Sequence, residues 1–90
     1  MAKELIKMRQ LRGKQMRMRA RLQTHELYAA KLRSNITSAW DDETKDDVVK
    51  TNALLLQEAR ADINVCQNYL RGLKRDIKMY NRHYDLRQKN

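Results

Sequence analysis

Ninety residues and 10.8 kDa suffice for one small domain at most. Twenty Lys and Arg against eleven Asp and Glu give a formal charge of +9, with no proline, no phenylalanine and only two glycines. Doubly wound and barrel enzymes need far more chain, a β-sandwich needs turn residues every ten or so positions, and a disulfide scaffold needs partners that the lone Cys66 lacks.

The chain starts Met1-Ala2-Lys3-Glu4-Leu5-Ile6-Lys7-Met8-Arg9, which is basic but has no apolar core of a signal peptide. The longest apolar run, Ala53-Leu54-Leu55-Leu56, is far short of a membrane span. The expectation is a cytoplasmic protein, or one exported by a non-Sec route together with its partner.

From Met8 onward the apolar residues recur at alternating steps of three and four. The first seam reads Met8, Leu11, Gln15, Met18, Leu22, His25, Ala29, Leu32, Ile36, Ala39. This heptad spacing predicts an amphipathic helix, placed at 3–40, with one stripe against a partner helix. Leu, Met, Arg, Lys, Gln and Ala dominate it, all good helix formers. Gly13 interrupts this helix as a tolerated weak point.

Residues 38–47 are dense in helix-capping types, and 41–44 are assigned to an acidic turn. Thr44 or a neighbouring aspartate is expected to cap the next helix, with Thr44 and Asp47 spaced as a variant capping box. A second helix over 45–86 carries the seam Val49, Asn52, Leu56, Ala59, Ile63, Cys66, Leu70, Leu73, Ile77, Tyr80, Tyr84, interrupted at Gly72.

A short link between two long helices predicts an all-α, coiled-coil-like antiparallel hairpin forming one domain over 1–90. Facing residues then have numbers summing to about 88. Leu32 meets Leu56, Ala29 meets Ala59, Leu22 meets Cys66 and Met18 meets Leu70. The small residues meet at one layer, an agreement that choosing either register alone does not impose.

A second apolar set lies off the seam: Leu27, Tyr28, Trp40, Val48, Leu54, Leu55, Val65 and Tyr69. One hairpin cannot bury two stripes, so either these residues widen the core stripe or they await a partner. Charge is uneven too. Residues 1–39 carry net +8, 40–47 net −4 and 48–90 net +5. The open end is basic and the turn acidic, which suits nucleic acid, an anionic membrane or an acidic protein.

No combination of side chains forms a recognisable catalytic group. His25 and Cys66 fall near each other on the seam without an orienting group, and read as polar layers like Gln15 and Asn52. His25, His83 and Cys66 are too scattered for zinc, and the acids of 41–47 lack the glycine and distal glutamate of a calcium loop. No cofactor is expected.

The turn Ile36-Thr37-Ser38-Ala39-Trp40-Asp41-Asp42 resembles that of the small WXG-type proteins of the bacterial type VII secretion system. Those are helical hairpins of about this length with a tryptophan-x-glycine turn and an aliphatic residue four before the tryptophan, as Ile36 stands here. Asp42 replaces the glycine, the family's tyrosine-acid export signal is missing at Tyr80–Tyr84 and Tyr84–Gln88, and the charge is more basic. These departures bring the chain nearer the accessory relatives that accompany larger toxins. The resemblance implies a non-enzymatic accessory or targeting factor, chaperone-like, bound to a helical region of a secreted effector, with Trp40 and the second helix contributing most. Tyr28, Trp40, Leu54, Leu55, Val65 and Tyr69 are the candidate partner-binding residues. Two other readings stand beside it. One is a basic hairpin binding nucleic acid through Arg9, Arg12, Arg17, Arg19 and Arg21, with Arg71 to Lys78. The other is a self-associating structural subunit.

Overall fold

The computed structural model describes residues 2–89, and their side chains except those of Ala2, Glu4 and 84 onward. The protein is all-α. Helix α1 spans Ala2–Ala39, a single 3₁₀ turn spans Glu43–Lys45, and helix α2 spans Asp46–Lys89. The two long helices pack side by side as an antiparallel hairpin, a rod of 71 × 14 × 14 Å.

Every expected seam position with a described side chain is buried or half-buried, from Met8 to Ala39 and from Val49 to Tyr80. Tyr84 lies outside the described side chains. The centre of the core is the layer Ala29, Leu32, Leu56 and Ala59, with Ile36, Leu55 and Ile63 packed against it. Ala29 and Ala59 expose 1% and 2% of their surface. Two facing methyl groups let the backbones close there, and the leucines on either side fill the space. The expected register holds elsewhere. Asn35 Nδ2 donates to Asn52 Oδ1 at 3.2 Å, Met18 shares a groove with Tyr69, and Met8 shares one with Asn81.

The turn differs from expectation in one detail. Thr44 does not cap α2. It lies within the 3₁₀ turn that leads into α2 at Asp46, and Asp42 caps that turn. The Asp42 carboxylate accepts from Thr44 N–H at 3.0 Å and from Thr44 Oγ1–H at 2.6 Å, while its carbonyl accepts from Lys45 N–H at 2.9 Å. These two bonds and the nearby Lys45 hold the Asp42 carboxyl below its ordinary pKa. A tight 3₁₀ turn needs an acceptor two residues ahead of its free amide, and Asp42 reaches where Thr44 cannot. α1 stops one residue short of the expected 40. α2 begins one residue later and runs past the expected 86.

The rod exposes much surface for its mass. Its solvent-accessible area is 7533 Å², against about 5,500 Å² for a compact protein of this size. Its radius of gyration is 20.1 Å, against about 12 Å for a compact chain of this length. One seam between two helices buries few large side chains, so stability rests on a thin core.

Candidate interaction surface

The seam register divides the remaining residues between two sides of the rod. In an antiparallel pair the residues flanking the seam on one edge of α1 lie on the same side as the matching edge of α2. The surface grooves show this directly. Lys7, Leu11, Lys14, Tyr69, Leu73 and Asp76 line one groove, and Met18, Arg21 and Tyr69 continue it. Leu5, Met8, Arg9, Arg12 and Asn81 line another on the opposite side.

Five of the eight off-seam apolar residues lie on the Tyr69 side. Tyr28, Val48, Leu55 and Tyr69 recur at seven-residue intervals or multiples of them along its two edges, and Val65 stands one helical row further out. Tyr28 is 43% exposed, Tyr69 45% and Val65 67%. Of the off-seam set only Leu55 adds to the core, where it packs on the central layer. The others do not widen the core stripe. Tyr28, Val48 and Val65 lie on the Tyr69 side over the turn half of the rod, with Asp62 and Glu58 beside them.

Two of the six candidate partner-binding residues stand apart from this row. Leu54 is on the outer back of α2, one row beyond Val65. Trp40 lies past the last residue of α1, in register with the opposite side, and is 68% exposed. Its backbone N–H donates to the Thr37 carbonyl at 3.4 Å, and the residue stands at the turn end of the rod. Tyr28, Leu55, Val65 and Tyr69 thus lie along one side of the rod, with Asp62 between Leu55 and Tyr69, while Trp40 and Leu54 lie off it.

The basic residues are divided in the same way. Arg17 and Arg21 join Lys14 around Tyr69. Arg9 and Arg12 line the opposite groove, and Arg19 follows Arg12 by one heptad on that same edge. The tract of 9–21 is divided along the two seam edges, with Arg12 and Arg19 on one and Lys14 and Arg21 on the other, while Arg9, Lys14 and Arg17 share a groove across the outer face of α1. Assigning every charge to an edge of the heptad gives this split from sequence alone; counting charge per segment does not.

His25 is half-buried and Cys66 buried and free, both on the seam. Among the described residues no three His, Cys, Asp or Glu side chains converge to hold a metal ion. No described helix is long and apolar enough to cross a membrane. No protein-family model, curated protein or solved structure matches the chain.

Proposed function

We propose that this chain is a non-enzymatic partner protein that lays its Tyr69 side along helices of another chain. The observation that carries this reading is the exposed apolar strip Tyr28, Val48, Val65 and Tyr69 on one side of a thin rod. Large exposed apolar residues aligned on one side are costly in water and typical of interaction sites. The rod exposes roughly 2,000 Å² more than a compact chain of its mass, comparable to the total area of a standard protein interface, about 1,200–2,000 Å². Packing of a further helix or hairpin against this strip completes a bundle in the usual left-handed geometry. Within that reading, the tryptophan-bearing turn at the tip and the hairpin length support a role as an accessory or targeting factor for a type VII secretion effector.

The test is recovery of tagged protein from its host's lysate after nuclease treatment, read by mass spectrometry. One stoichiometric protein with a helical N-terminal region is the expected result. Val65→Asp and Tyr69→Ala, both at exposed positions outside the core, are expected to abolish its recovery while circular dichroism stays unchanged. Equal recovery by wild type and both variants would remove this side from the interface. Recovery of only the chain itself would point to a self-associating subunit.

A further inference from the structure

We infer that the side opposite Tyr69 is a docking face for the phosphate backbone of duplex nucleic acid. On that side α1 presents Arg9, Arg12 and Arg19, and α2 presents Arg71, Lys74 and Lys78. All six are exposed. Because facing residues sum to about 88, the α2 residues fall at the levels of α1 positions 17, 14 and 10. The six cations therefore occupy ten residues of rod, about 15 Å at 1.5 Å per residue.

No acid lies on this side within that span. Asp76, at the same level, is in the groove with Lys7, Lys14 and Tyr69 on the other side. Among the described side chains Glu26 is the nearest acid on the α1 edge, seven residues past Arg19 and about 10 Å further along. A duplex carries one phosphate per roughly 1.7 Å of axis, so about nine lie along a 15 Å stretch, and those facing the rod are similar in number to the cations. Four of the six cations are arginine, which engages phosphate oxygens two at a time.

The other polyanions fit less well. Single strands are held by stacking on aromatic side chains, and Tyr69, level with this cluster, lies on the far side. A helix on an anionic membrane needs apolar residues on its basic face. Here the basic side offers Leu5 at one end of the cluster and Met16 within it, two isolated apolar residues and no stripe, while the aromatic-bearing strip is on the other side toward the turn. An acidic protein partner would find Met16 at the centre of this face but no aromatic anchor there. The two surfaces are independent, so a protein on the Tyr69 side leaves the cations free.

The experiment is fluorescence anisotropy of full-length protein with a duplex of about 21 base pairs, the length of the 71 Å rod at 3.4 Å per pair. At about 0.15 M salt the expected Kd is micromolar, with log K falling against log salt at a slope of about −4 to −5, as for four to six phosphates. The double variant Arg12→Glu/Arg19→Glu is expected to lose about 30-fold in affinity, from two lost contacts, and to flatten the slope by about 2. Arg17→Glu/Arg21→Glu makes the same change of net charge on the same helix, but on the Tyr69 side. It is expected to stay within about threefold of wild type at that salt. Equal losses in both variants would overturn the proposal, since binding would then track net charge alone. So would tighter binding to oligo-dT, to phosphatidylserine vesicles or to polyglutamate than to the duplex.

Discussion

Replacing Gly72 by alanine is expected to stabilise the protein, because the glycine makes no contact that needs its absent side chain. A methyl group built there meets nothing within 4 Å, and its backbone is ordinary right-handed helix, as no glycine has positive φ. What remains is the intrinsic difference between the two residues in a helix interior, about 0.8–1.0 kcal/mol in favour of alanine. With an unfolding entropy near 2.1 cal/mol/K per residue, 90 residues convert 1 kcal/mol into a rise in Tm of about 5 °C. Gly13 behaves similarly. Its methyl group would sit 3.4 Å from an Arg17 guanidinium nitrogen, an ordinary contact with the end of a flexible side chain. The two sites lie on outer faces of different helices and share no partner, so the double variant is expected to gain about twice as much. Thermal melts followed by circular dichroism at 222 nm measure this, at several protein concentrations to separate folding from association. A Gly72→Ala variant that melts at or below wild type would refute the reasoning. It would mean that another chain closes on Gly72, or that α2 is not helical there in the folded state being melted.

Leu56→Ala removes a leucine from the central layer beside Ala59 and is expected to cost about 2–5 kcal/mol, enough to melt the isolated hairpin at room temperature; urea titration checks it. Asp42 is held below its ordinary pKa by the two Thr44 bonds, so it stabilises the folded turn above the unfolded carboxylate pKa of about 3.9, and that contribution disappears as pH falls through its lower folded value. Melts between roughly pH 2 and 6 should show Asp42→Asn with a shallower acid loss than wild type, and an identical profile would mean that other carboxylates set it. Asn52 Nδ2 donates to the Val48 carbonyl at 2.7 Å while its Oδ1 accepts from Asn35, a polar layer that pins the register. Asn52→Leu is expected to raise Tm and to broaden the size-exclusion profile, since an all-apolar seam accepts other pairings; a higher Tm with a single unchanged peak would show that the turn alone sets the register.

The hairpin was legible in the residues because its signal is local and repeated. Alternating steps of three and four over twenty-one positions leave one helical reading, and the Ala29–Ala59 match ties the two halves together. The cap was legible only as a choice among neighbours. Asp42, Asp46, Asp47 and Thr44 all have capping chemistry, and which one caps depends on the path of a tight turn. The interaction surfaces were half legible. Leu27, Tyr28, Val48, Val65 and Tyr69 stand out as off-seam residues in any reading, but whether they broaden the core or face water depends on how wide the contact between two helices is. Two cylinders touch along a line, so one stripe is covered and its flanks are left bare, with Leu55 the exception next to the central layer.

By itself the amino-acid sequence determined that the chain is two long helices, where they turn and which stripe of each is buried, because periodicity and a capping-rich break are properties of neighbouring residues. Only the tertiary structure decided which residues flanking the seam are covered, Leu55 packing on the central layer while Tyr28, Val48 and Tyr69 stay exposed; the side each edge takes follows from the heptad and the antiparallel turn. Arg12 and Arg17 are five residues apart and belong to different surfaces, while Arg12 and Lys74 are sixty-two apart and belong to the same one. The antiparallel docking of α1 on α2 draws that division, since it places like edges together and sorts one basic segment between two edges, Arg12 with Lys74 on one and Lys14 and Arg21 with Tyr69 on the other.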